Sequence, residues 1–148
     1  MDGEMTNLES LRSLQKRIRE ATGPDREIDL EICKVFGIFK SVMKRLDAQG
    51  SLTADNLGAA PFTLDPDGLG PCVALMRMLL PGWPGSVSWN NLETNGGTSF
   101  AYVHTPIGYD GPSPWPEGSL HHNNTCLALL YAIFSALIAQ EEAKEKAG

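Results

Sequence analysis

The sequence predicts an α+β fold, a small antiparallel β-sheet packed between about four helices. Three observations lead there. Apolar residues recur at helical spacing through the first third of the chain. Two β-prone runs flank an Asn-Gly pair further on. A long apolar segment closes the chain.

Leu8, Leu11, Leu14 and Ile18 fall three or four residues apart, so one helical face is apolar, with Arg12, Lys16, Arg17 and Arg19 mostly on the other sides. Gly23 suits the left-handed position that ends a helix, because it has no Cβ to clash. Pro24 follows, where a new helix tolerates a missing N–H. Asp25 and Glu27 then put negative charge at the positive end of that helix. Ile28, Ile32, Val35, Phe36 and Phe39 form the next apolar face, expected to run on through Val42, Met43 and Leu46 until Gly50 stops it. The two helices make a hairpin with a tight corner.

Residues 51–72 read as loop, with an extra strand near 61–64 and with Asp65 or Asp67 placed to cap a third helix. That helix carries Leu69, Val73, Met76, Leu79 and Leu80 and ends at Pro81-Gly82. Residues 86–93 and 98–105 form the predicted β-hairpin around Thr94-Asn95-Gly96-Gly97, since Asn and Gly both accept positive φ. Val87 and Trp89 alternate on the first strand. Phe100, Tyr102 and His104 form a matching set on the second, with Ala101 and Val103 on the opposite side. Residues 106–120 are rich in Pro and Gly and carry Tyr109 and Trp115. A loop of that length is often functional. The alternative is a linker whose aromatics cover the core edge. Asn123-Asn124-Thr125 then leads into a helix from Cys126 to Ile138 that is apolar on nearly all sides, so other elements must cover it; after Gln140 it turns charged.

With 148 residues the chain is expected to form a single domain, with 42% hydrophobic and 20% charged residues, ordinary for a globular protein. No apolar run long enough to cross a bilayer is evident, and the start, Met1-Asp2-Gly3-Glu4, is polar, so neither a membrane span nor a signal peptide is expected. Cys33, Cys72 and Cys126 lie far apart in apolar patterns and read as buried thiols of a reducing compartment. Net charge is −6, and between Leu46 and Ala143 the only cation is Arg77. The N-terminal cations alternate with acids, as on a solvated helix surface, rather than forming the basic stripe that duplex nucleic acid requires.

Three segments together resemble the phage ABA-sandwich domain family, small proteins of phages and prophages. Ala21-Thr22-Gly23-Pro24-Asp25-Arg26-Glu27-Ile28-Asp29 is close to complete against that family's pattern. Phe62-Thr63 and Pro81-Gly82-Trp83 match a second segment, although Asp65-Pro66-Asp67-Gly68 departs from it. Asn123-Asn124-Thr125-Cys126-Leu127-Ala128-Leu129 is similar to the opening of the family's last helix, without its proline. Residues near 40–60 and 106–120 read as insertions. The resemblance implies helices on an antiparallel sheet, a phage origin, the cytoplasm of an infected bacterial host, and no catalytic residues. By analogy of size and setting with phage proteins that sequester nucleotide signals of host immunity, it raises one functional expectation. This is a non-enzymatic, oligomeric protein that holds a small phosphorylated nucleotide, cyclic or of the ADP-ribose type. A protein–protein interaction or virion accessory module is the other reading.

The residues expected to hold that ligand cluster in three places. His121, His122, Asn123, Asn124 and Thr125 lie at a helix start, where free N–H groups favour an anion. The competing reading makes Asn124 or Thr125 an N-cap and the histidines exposed loop residues. Trp89, Asn91, Tyr102 and His104 would stack on and bond to a base, or else the aromatics cover one sheet face as core. Arg26 and Arg77 would meet phosphate. Metal ligation and cofactors are not expected: adjacent histidines rarely share an ion, and no Cys pair or His-Glu-x-x-His spacing supports them. Gly-x-Ser-x-Gly, Gly-x-Gly-x-x-Gly and P-loop patterns are absent, which leaves a histidine-based hydrolase as the weakest reading.

Overall fold

The computed structural model describes residues 7–65, 67–90, 98–106, 108, 120–122 and 124–147. Among these the chain forms helices α1 (Asn7–Glu20), α2 (Arg26–Phe36), α3 (Lys40–Ala48), α4 (Ala54–Leu57), α5 (Leu69–Leu79) and α6 (Thr125–Ala147). The strands are β1 (Gly85–Asn90), β2 (Thr98–Val103) and β3 (Leu120–His122).

The expected α+β sandwich is corrected: this is a mostly helical protein, and among the described residues no sheet forms a central layer between helices. The axis of the fold is α6. Cys126, Leu127, Leu130, Ile133, Phe134 and Ala136 along it are all fully buried. α1, α5 and the strands all pack against α6. The strand sequences give the reason. A sheet covered on both faces has near-continuous apolar strands. Here serine recurs at alternate positions, Ser86 and Ser88 in β1, which suits cover on one side only. The strands run β1-β2-β3, antiparallel throughout. Val87 pairs with Ala101, and Ala101 with Leu120, so Val87 matches the Ala101–Val103 side and not Phe100 and Tyr102 as expected. Ala101 and Val103 are buried against the core. The Thr94–Gly97 turn lies outside the described residues.

α6 is also long and apolar enough, by length and composition, to cross a membrane, contrary to expectation. In this fold it is the mostly buried core helix. Gln15 of α1 donates its Nε2–H to Ser135 Oγ at 2.6 Å and to the Tyr131 carbonyl at 3.2 Å. Further along the same pair, Arg12 meets Glu142. Phe36 of α2 packs edge-on against Phe134, with ring centroids 5.7 Å apart.

The single helix expected from Ile28 to Gly50 is broken. Gly37 adopts the left-handed conformation (φ 68°), and its N–H closes back on α2, ending that helix after Phe36. α3 then starts afresh at Lys40. It has no buried residue, and its apolar side (Val42, Met43 and Leu46) is only half-covered. In the stretch read as loop, Thr53 Oγ1 accepts from Asn56 N–H and starts the short α4. Residues 61–64 form a turn, not a strand. Neither Asp65 nor Asp67 caps α5, whose N-cap is Gly68 without a side-chain bond.

Candidate functional site

The 62–65 turn is where the described polar chemistry concentrates. Asp25 is the N-cap of α2: its Oδ1 accepts from Glu27 and Ile28 N–H. One turn on, Asp29 sits between the buried Ile28 and Leu30 and is itself 1% exposed. Its Oδ1 accepts from the Thr63 N–H and the Thr63 hydroxyl, both at 3.0 Å, and its Oδ2 accepts from Arg26 at 2.8 Å. Thr63, fully buried, also accepts from Asp25 N–H at 2.8 Å. Its carbonyl accepts from Asn124 Nδ2 at 2.9 Å. The next carboxylate, Asp65, accepts from Thr125 N–H at 3.2 Å.

Sulfur groups close the base of the turn. Cys72 donates to the Phe62 carbonyl at 3.2 Å, and Cys126 to the Leu64 carbonyl at 3.6 Å. All three cysteines are buried and unbridged. The hydrogen bond with Cys126, together with burial, drives the Cys72 thiol far up from its ordinary value. Burial, with the charge of Asp29 nearby, raises Cys33. Neither is placed to act as a thiolate. Burial also raises Asp29, against the opposing bonds from Arg26 and Thr63. Among the described residues no buried side-chain nitrogen or oxygen lacks a partner, so this network is a closed one.

That closure decides how the expected site residues are placed. Asn124 takes the N-cap position of α6: its Oδ1 accepts from Leu127 N–H at 3.0 Å. With Asp65 on Thr125 N–H, the helix start already faces an acceptor and a carboxylate, where the anion-site reading needs free donors. Arg26 points its guanidinium at Asp29, Asp55 and the Ala59 and Ala60 carbonyls. Burial acts to lower its pKa, but the bonds and charges of Asp29 and Asp55 prevail and keep it raised. Arg77 is exposed on α5, away from this network. His104 follows β2, exposed, with its N–H on the Pro84 carbonyl at 2.8 Å.

His121 and His122 are not loop residues at the helix start; they lie in β3. The register sets Trp89 opposite Ser99 and Ser99 opposite His122, so Trp89 and His122 share one row across the sheet. Tyr102 pairs with Ser86. Asn91, Asn123, Tyr109 and Trp115 lie outside the described residues. Among the described residues no cluster of three or more His, Cys, Asp or Glu could hold a metal ion. Sequence reasoning missed Asp29, Thr63 and Asp65. A carboxylate at 29 inside an apolar stripe was the available signal, since a charge is rarely buried without a partner.

The described surface is otherwise notable for what it leaves bare. Phe39 is 53% exposed and Met78 54%, with Val73 and Leu64 also open. Phe39 is, besides, the one non-glycine described residue at positive φ, 56°. An L-residue there costs on the order of 1 kcal/mol, and burial of the ring does not offset it. Close by in sequence, Val35 and Phe36 join Leu11, Leu79 and Leu137 in lining a 240 Å³ recess rimmed by Gln140, Glu141 and Lys144.

Comparison with family models, curated proteins and solved structures finds no match.

Proposed function

We propose that this chain is a non-enzymatic binding protein that works through its apolar surface, as a protein–protein interaction module. The observation that carries this reading is the exposed Phe39, held in an unfavourable backbone conformation. Aromatic side chains are the residues most often found at the energetic centre of interfaces. The closed polar network supports the same reading from the other side, because the three resembling segments meet there. Asp25 and Asp29 from the first, Thr63 from the second and Asn124 from the third bond to one another. Their shared residues therefore have an architectural role that needs no ligand. The phage setting and host-cytoplasm location stay part of the proposal through that resemblance.

Nucleotide sequestration is the second reading, favoured by the register that sets Trp89 and His122 on either side of Ser99 in one row of the sheet. A thermal-shift screen against linear, cyclic and ADP-ribose-derived nucleotides separates the two, since a ligand of the native state raises the melting temperature by mass action. The interaction reading predicts no shift, together with capture of a protein partner that is lost in Phe39→Asn. A shift of several degrees with one nucleotide class, with the ligand released intact, would replace it with the second reading.

A further inference from the structure

Phe39 stands at the head of α3, where its carbonyl accepts from the Met43 N–H at 2.9 Å. The helix behind it carries Lys40, Lys44 and Arg45, all exposed, against the single carboxylate of Asp47. Elsewhere Arg12, Arg26, Lys34 and Lys144 are paired with carboxylates, whereas among the described residues Lys40, Lys44 and Arg45 are in no ion pair. The first turn of α3 also lacks an acid, so no carboxylate there offsets the positive end of the helix. A helix of this length spans only about 13 Å, so the ring and the three cations share one small patch. Its sign is opposite to that of the whole chain, whose net charge is −6. Val42, Met43 and Leu46 form the apolar side of α3 and are only partly covered.

We propose, building on the interaction-module reading, that the protein partner docks on α3 through an acidic segment. An apolar residue of that segment packs on Phe39, and flanking carboxylates meet Lys40, Lys44 and Arg45. Exposed ion pairs are each worth little, so the apolar contact supplies most of the affinity. The charges supply the selection, because a patch of one sign steers partners of the other and suppresses its own. A basic segment would set like charges together, and a neutral one would draw three cations out of water without a partner. An anionic bilayer would meet the same charges, but a helix lying in a bilayer offers it a whole apolar face. Here Val42, Met43 and Leu46 pack partly on the core and leave Phe39 as the exposed anchor, which suits a peptide segment better.

Selection from a display library of random short peptides on the full chain tests this, with the Phe39→Asn protein used to remove peptides that bind elsewhere. Asn accepts positive φ more readily than Phe, so that variant keeps the fold. The retained peptides are expected to carry an apolar residue flanked by Asp or Glu. In fluorescence anisotropy with the best of them, Lys44→Glu combined with Arg45→Glu is expected to weaken binding about tenfold or more, and added salt to weaken it as well. Lys40→Glu should act in the same direction at an unchanged or higher melting temperature, since an acid at the start of α3 favours the helix; this separates lost docking from lost folding. Retained peptides with no excess of acid over the library overturn the inference, as does binding indifferent to the charge reversals. In either case Phe39-dependent binding leaves the interaction-module reading standing. A selection that yields no Phe39-dependent peptide also overturns the inference, and Phe39-dependent binding to vesicles of phosphatidylserine and phosphatidylcholine would then assign the patch to a membrane surface.

Discussion

Replacing Thr63 with valine removes one oxygen at constant shape, so it isolates the polar network from packing. The hydroxyl donates to Asp29 Oδ1 at 3.0 Å and accepts the Asp25 N–H at 2.8 Å, at a site with no solvent exposure. Losing a bond to a buried carboxylate costs about 1.5–3 kcal/mol, and leaving the Asp25 N–H without its acceptor adds about 1–3 kcal/mol. The extra methyl group returns roughly 1 kcal/mol of apolar burial. The net expectation for Thr63→Val is a loss of about 2–4 kcal/mol, a large share of the stability of a domain this size. Urea unfolding followed by circular dichroism measures it. The midpoint should fall by about 1–2 M at an unchanged slope. Thr22→Val, on the exposed surface, serves as control and should stay within about 0.5 kcal/mol. A Thr63→Val protein within about 0.5 kcal/mol of wild type would refute the reasoning, because water or a rearranged Asp29 would then be satisfying the same groups.

Other expectations follow from the same geometry. At Gly68 a Cβ would lie 2.3 Å from the Pro61 carbonyl oxygen and 2.6 Å from that of Phe62, both backbone atoms. Gly68→Ala should therefore destabilise by about 2 kcal/mol or more, whereas Gly70→Ala, in open space on α5, should stabilise by up to about 1 kcal/mol; both are read from thermal melts. Asn124→Ala removes the α6 cap and the bond to the Thr63 carbonyl, for a loss of about 2–3 kcal/mol by urea unfolding. Burial raises Asp29, so the native state holds that proton to higher pH than the unfolded chain does. Its contribution to stability is full below the ordinary carboxylate value and is lost as pH rises through the raised one. The stability of wild type minus that of Asp29→Asn should accordingly shrink as pH rises from the ordinary carboxylate range, and a difference that grew would contradict the raised value.

The helical parts of this molecule are written locally, and much of that is legible. Leu8, Leu11, Leu14 and Ile18 do form the buried face of α1, and Ile28 and Ile32 that of α2. Gly23 and Pro24 do fall between the two helices, but Gly23 is not left-handed, and Asp25 rather than Pro24 opens α2. The break at Gly37 is hidden in the sequence because the apolar spacing continues through it, from Phe36 to Phe39, while the backbone does not. The layer order is harder to see. A helix apolar on all sides, such as α6, is evidence that it is itself the centre of the fold, and the serines of β1 are evidence that the sheet is covered on one face alone. An Asn-Gly pair fixes only a local turn, whereas the burial pattern sets the layer order. The polar network depends on contacts 34 to 61 residues apart in the chain, such as Thr63 with Asp29 and with Asn124. Spacing does not encode such contacts. Residues 25, 29, 63 and 124 fall within the resembling segments, but only their long-range bonds show an architectural role.

A double-mutant cycle on Thr63→Val and Asp29→Asn in urea tests that claim most directly. If the two side chains act as one closed unit, the losses should fall short of additivity by about 1 kcal/mol or more. Losses that add within about 0.3 kcal/mol would contradict it.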